Sequence, residues 1–76
     1  MEEEKQIILE YVKRLFNEDD RADITDTTDL ISEGYIDSFN MVVMQVMIEK
    51  TFKIKLKNIT TEDFRTVDNM TKLIKR

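Results

Sequence analysis

The chain predicts an all-α fold: a small four-helix bundle of three longer helices and one short one, with a long loop between the first two. Three observations carry that expectation. Apolar residues recur at three- and four-residue steps near both ends of the chain. An almost unbroken apolar stretch follows Ser38, and the segment before it, residues 18–37, is too acidic and too poor in apolar positions for a long helix.

The first helix is expected over residues 3–17, where Ile7, Ile8, Tyr11, Val12, Leu15 and Phe16 draw one apolar stripe. Glu2, Glu3 and Glu4 stand at its start and Lys13 and Arg14 in its later turns, which suits the helix dipole. Residues 18–37 then carry eight acids and the only glycine. Loops of this length in small domains are pinned or functional, and Ile24, Leu30, Ile31 and Ile36 are the expected pins.

The second helix, residues 38–52, is apolar nearly all round. A helix of that kind is normally buried on every side, which a domain this small cannot arrange, so two faces are expected. Met41, Met44, Ile48 and Phe52 can form the inward stripe. Phe39, Val42, Val43 and Val46 then form a docking surface for partner proteins, unless they pack inward under the acidic loop; periodicity alone leaves both open. Methionines at 41, 44 and 47 suit either an adaptable surface or a core.

Phe52, Ile54 and Leu56 alternate with Lys53, Lys55 and Lys57 in the manner of a strand, but a strand with nothing to pair is not stable, so a connecting loop is expected. Thr60 followed by Asp63 has the form of a capping box for a short helix around Glu62, Asp63 and Phe64. Thr66 caps a final helix over residues 67–75, with Val67, Met70, Leu73 and Ile74 inward and Lys72, Lys75 and Arg76 at its basic end.

Residues 1–76 are expected to form a single domain, too small for a deep catalytic cleft. Histidine and cysteine are absent, which removes the common general base, the thiol nucleophile and the usual zinc ligands. A Ser38–Lys50 pair is formally possible, but along one helix the two lie about 18 Å apart. The net charge of −4 divides unevenly: residues 1–37 hold 12 acids and 4 bases, residues 38–76 hold 4 acids and 8 bases. That balance argues against binding nucleic acid and is compatible with basic partner proteins or simply with solubility. No signal peptide and no long apolar run is evident, so a cytoplasmic, monomeric protein without membrane insertion is expected.

The most telling feature is the junction Glu33-Gly34-Tyr35-Ile36-Asp37-Ser38-Phe39, where the acidic loop meets the apolar helix. A helix start presents unpaired N–H groups and the positive end of the dipole, which favours a phosphate on the Ser38 hydroxyl. The other reading is that Ser38 or Asp37 simply caps the helix, since both residue types are preferred there. Taken alone, the residues do not separate the two.

With three long helices, a short third helix and Gly34-Tyr35-Ile36-Asp37-Ser38-Phe39 at the loop-to-helix junction, the chain resembles the acyl carrier protein family over essentially its whole length. The resemblance implies a 4'-phosphopantetheine arm, taken from coenzyme A, on Ser38, with Asp37 as the adjacent motif residue facing away from the phosphate, and a carrier in place of a catalyst. It implies as partners a phosphopantetheinyl transferase, an acyl- or aminoacyl-loading (adenylating) enzyme and a downstream acyltransferase or condensing enzyme, docked on Phe39, Val42, Val43 and Val46. Fatty-acid carriers usually show several acids along this helix; here Asn40 and Val43 stand at such turns, leaving Glu49 against Lys50. Docking is therefore expected to lean on apolar contact more than on charge. Stand-alone carriers for D-alanine transfer look similar at Asp37-Ser38-Phe39 and at Glu62-Asp63-Phe64, as do small carriers of amino-acid and secondary-metabolite pathways.

Two other features of the chain point elsewhere. Asp19, Asp20, Asp23, Asp26 and Asp29 bring a calcium loop to mind, but counting from Asp19 puts Arg21 at the third position and Ile24 where glycine belongs, so no metal site is expected. The stronger rival is a helical interaction module that uses the apolar face of the second helix with no covalent arm.

Overall fold

The computed structural model describes residues 2–16 and 23–75. Among them the chain is all-helical, without a strand: α1 (Glu2–Phe16), α2 (Ser38–Phe52), a 3-10 turn (Thr61–Phe64) and α3 (Val67–Leu73). Acids in the first turn of α1 and bases in its last turn match the dipole as expected. The expected last residue of the first helix, Asn17, lies outside the described residues, as do Asp19, Asp20 and Arg21.

Each later boundary has a local cause. Asp37, in extended backbone, caps α2. The helix ends at Lys53, which takes the left-handed conformation (φ 58°) and donates its N–H to the Glu49 carbonyl, while Ile54 N–H reaches the same carbonyl at 3.1 Å. At the 3-10 turn the Thr60 N–H donates to Asp63 Oδ2 at 2.9 Å, one half of the expected capping box. Thr66 Oγ1 accepts the Asn69 N–H at 2.9 Å and starts α3. The last helix is shorter than expected, because Ile74 and Lys75 turn back with i−3 hydrogen bonds to Thr71 and Lys72 and leave the α pattern.

The core draws on every element: Ile8 and Val12 from α1, Ile24, Leu30 and Ile36 from the connecting segment, Met44, Met47 and Ile48 from α2, Phe64 from the 3-10 turn, and Val67, Met70 and Leu73 from α3. α1 packs chiefly on α3, and the 3-10 turn packs on both α3 and α2. Three of the four expected loop pins are buried, with Ile31 half-buried at the edge. The α1 stripe narrows to Ile8 and Val12; Ile7 and Leu15 are exposed. The inward face of α2 also differs from expectation. Met47 is buried, whereas Met41 and Phe52 only edge the core. At about 100° per residue, Met47, Met44 and Ile48 define one arc, with Met41 and Phe52 at its far margin. The segment after α2 is a connecting loop, as expected, with Ile54 and Leu56 half-buried and Lys53, Lys55 and Lys57 exposed.

Long-range polar contacts hold the connecting segment down. Lys5 Nζ bridges Asp26 and Asp68, at 3.2 Å each, and so ties α1, the segment and α3 together. Asp68 N–H donates to the Asp26 carbonyl at 2.9 Å. Asp29 accepts from Ser32 N–H and Oγ and from Arg65 Nη1. Those acids are thus occupied within the fold, and among the described residues no group of three or more acids could hold a metal ion.

The same contacts have a pH signature. Hydrogen bonds from Ser32, then the Arg65 guanidinium, hold the Asp29 carboxyl below the usual carboxylate range. A depressed folded-state value means that its stabilising contribution is complete above the unfolded-state value and is lost as pH falls through the folded one. Asp29→Asn is expected to flatten the fall of stability with pH below about 4, measured by chemical denaturation at successive pH values. Parallel curves for wild type and variant would contradict that.

Candidate functional site

The four residues that lead into α2, Gly34 to Asp37, each have a structural task. Gly34 sits at φ 85°, a backbone region that side-chain-bearing residues rarely enter, and its N–H closes a turn on the Ile31 carbonyl at 3.1 Å. A Cβ at Gly34 would meet nothing within 4 Å, so the requirement is conformational and not steric. Gly34→Ala is expected to cost about 1 kcal/mol, read as a lowered thermal midpoint, with helicity retained. An unchanged midpoint would mean that the turn relaxes to another shape.

Beyond the glycine the chain folds back on itself: Tyr35 N–H and Ile36 N–H both donate to the Leu30 carbonyl, at 2.9 and 3.1 Å. The Tyr35 ring packs on Phe16, centroids 5.6 Å apart and tilted by 42°, and so joins the junction to the end of α1. Ile36 is buried and anchors the turn in the core. Asn40 Nδ2 donates to the Tyr35 carbonyl at 3.1 Å, tying the first turn of α2 to the residues before it.

Asp37 and Ser38 then divide two tasks that the sequence left undivided. Asp37 Oδ1 accepts the Asn40 N–H at 2.9 Å, so the aspartate is the cap and its carboxylate is turned towards backbone donors. Ser38 is the first residue of α2, exposed, and its hydroxyl has no hydrogen-bond partner among the described residues. Met41 N–H, bonded to the Asp37 carbonyl at 2.9 Å, is the first to close within the helix. The donors of Ser38 and Phe39 precede that bond and face the end where Ser38 stands. An exposed hydroxyl, a neighbouring carboxylate held elsewhere and two available N–H donors fit a phosphodiester-linked group.

Alongside lies an apolar face. Phe39 is 74%, Val42 58% and Val46 43% exposed. Val43, grouped with them in the sequence, is half-buried, because its place on the helix lies beside Met47 at the margin of the core. Tyr11 of α1 joins Val42, Val43, Val46, Met47 and Lys50 in lining a shallow open groove. Glu49, the one acid within α2, accepts the Leu56 N–H at 3.0 Å and so spends its carboxylate on the loop that follows. That use was not readable from its position opposite Lys50.

Glu62, Asp63 and Phe64 also have structural tasks. Glu62 pairs with Arg65, Asp63 accepts at the Thr60 cap, and Phe64 is wholly buried.

No helix among the described residues is long and apolar enough to cross a membrane. Comparison with curated proteins and with solved structures returned no match. The family model described as the phosphopantetheine attachment site matches residues 6–74, which takes in the junction, α2 and all the core residues. The chain therefore belongs to the phosphopantetheine-attachment family, whose members are carriers of 4'-phosphopantetheine and not themselves catalysts.

Proposed function

We propose that this chain is an acyl or aminoacyl carrier whose 4'-phosphopantetheine arm is joined to Ser38 Oγ. The observation that carries the reading is the division of labour at the start of α2. Asp37 caps the helix, which leaves the Ser38 hydroxyl exposed and without a partner among the described residues, beside the donors of the helix end. In the loading step Ser38 Oγ attacks the phosphorus of coenzyme A that bears the pantetheine. A new phosphoester bond forms, the pyrophosphate link breaks, adenosine 3',5'-bisphosphate leaves, and the hydroxyl proton passes to a base of the transferase. The arm, when bound, supplies a terminal thiol that holds cargo as a thioester, chemistry this cysteine-free chain lacks.

Residues 1–76 serve as one carrier domain, a bundle in which the 3-10 turn takes the place of the short helix, and the carrier acts as a monomer. Partners dock on Phe39, Val42 and Val46, with Val43 at the edge of that surface: a phosphopantetheinyl transferase, an adenylating enzyme that loads the cargo and an acyltransferase or condensing enzyme that removes it. Engagement of Glu49 within the fold supports docking through apolar contact.

The test is intact mass after incubation with coenzyme A and a promiscuous phosphopantetheinyl transferase. Wild type is expected to gain one phosphopantetheine and Ser38→Ala none. An unmodified wild type would favour an interaction module without an arm, and a modified Ser38→Ala would place the arm on another residue.

A further inference from the structure

The turn that places Ser38 is held from near the far end of the chain. Arg65, just after the 3-10 turn, reaches the connecting segment across 36 positions of sequence and approaches both Asp29 carboxylate oxygens with Nη1 at 2.9 Å. Its Nε approaches both oxygens of Glu62 at 3.0 Å, which fixes the guanidinium plane. Its carbonyl accepts the Leu30 N–H at 2.8 Å. Leu30 in turn accepts Tyr35 N–H and Ile36 N–H, and the next residue, Asp37, is the cap of α2. Two hydrogen-bonded steps thus lead from Arg65 to Ile36, the residue before the capping Asp37.

We infer that Arg65 is a positioning residue for Ser38: by clamping the turn from Leu30 to Ile36 it sets where the hydroxyl stands, without touching it. The inference rests on Ser38 being the attachment point. Arg65 and Asp29 are both part-exposed, with side chains 32% and 40% accessible, and ion pairs of that kind add little to global stability. What the clamp provides is direction. Its guanidinium acts on Asp29 and Glu62 from two edges while its own backbone carries Leu30, an arrangement lysine cannot reproduce because it lacks the planar fork.

The experiment measures steady-state transfer from coenzyme A onto apo chain by a promiscuous phosphopantetheinyl transferase, with the chain as varied substrate. Arg65→Ala, Arg65→Lys and Asp29→Asn are compared with wild type, each at a temperature where circular dichroism shows it folded. Because the docking face on α2 is untouched, KM is expected to hold within about twofold while kcat falls roughly tenfold for Arg65→Ala, the scale on which misplacing a reacting group by a fraction of an ångström is felt. Arg65→Lys is expected to recover only part of the loss, and hydrogen exchange at Tyr35 and Ile36 to quicken with no change at Val12 or Met70.

Asp29→Asn keeps an acceptor for Ser32 but loses the charge facing Arg65, so it reports on the clamp should Arg65→Ala prove unstable. An unchanged kcat, full rescue by lysine, or a loss confined to KM would overturn the inference. A wild type that takes up no arm would instead overturn the Ser38 reading, and a wild type loaded elsewhere would do the same.

Discussion

Phe64→Ala is expected to remove about 3–5 kcal/mol of folding stability, the range for truncating a buried aromatic residue that leaves a cavity. Phe64 heads the fully buried side chains by volume, and it sits on a short 3-10 turn that packs against both α2 and α3. A domain of this length has a total stability of about 4–11 kcal/mol, so the loss takes away much of what there is. Denaturant titration followed by circular dichroism is expected to show a midpoint far below that of wild type, or no folded baseline. A shift under about 1 kcal/mol would mean that the turn repacks freely and does not hold α2 in place.

Phe39→Ala is expected to do the reverse, sparing the fold while damaging partner engagement. Among the described residues Phe39 is the most exposed large apolar side chain, and it stands next to Ser38. Its removal changes almost no buried surface, so stability is expected to stay within about 0.5 kcal/mol of wild type. An aromatic anchor at the centre of an interface contributes about 2 kcal/mol or more, which corresponds to a rise of roughly 30-fold in KM for loading by the transferase. Val43→Glu makes the contrast useful. Because Val43 is half-buried, a charge there is expected to lower the thermal midpoint as well as weaken docking. Equal effects on folding and loading for Phe39→Ala would move Phe39 out of the docking face.

What the sequence made readable, and what it did not, follows the range of the interactions. The start and end of α2, the box at Thr60 and Asp63, and the cap at Thr66 are encoded within four residues of one another, and each was expected where it stands. The turn into α2 was legible for the same reason, since the only glycine and the Asp37-Ser38 pair mark the passage from acidic loop to apolar helix. The separate roles of Asp37 and Ser38 were not, because both residue types cap helices and only the geometry shows which one does.

Contacts across the chain left no mark on local pattern. Lys5 to Asp26 spans 21 positions and Arg65 to Asp29 spans 36, and the acids involved read in sequence only as part of a charged loop. The inward face of α2 escaped for a different reason. A helix with apolar residues on nearly every side carries no periodic signal strong enough to choose between arcs, so the expected inward stripe lacks Met47 and the side of Val43 stays open between docking face and core.

The most direct test is to recover the protein from its native cells, digest it, and locate any phosphopantetheine by peptide mass fragmentation. The group is expected on the peptide that contains Ser38 and on that hydroxyl alone. A bare Ser38 in every preparation, or an arm found on a different residue, would contradict it.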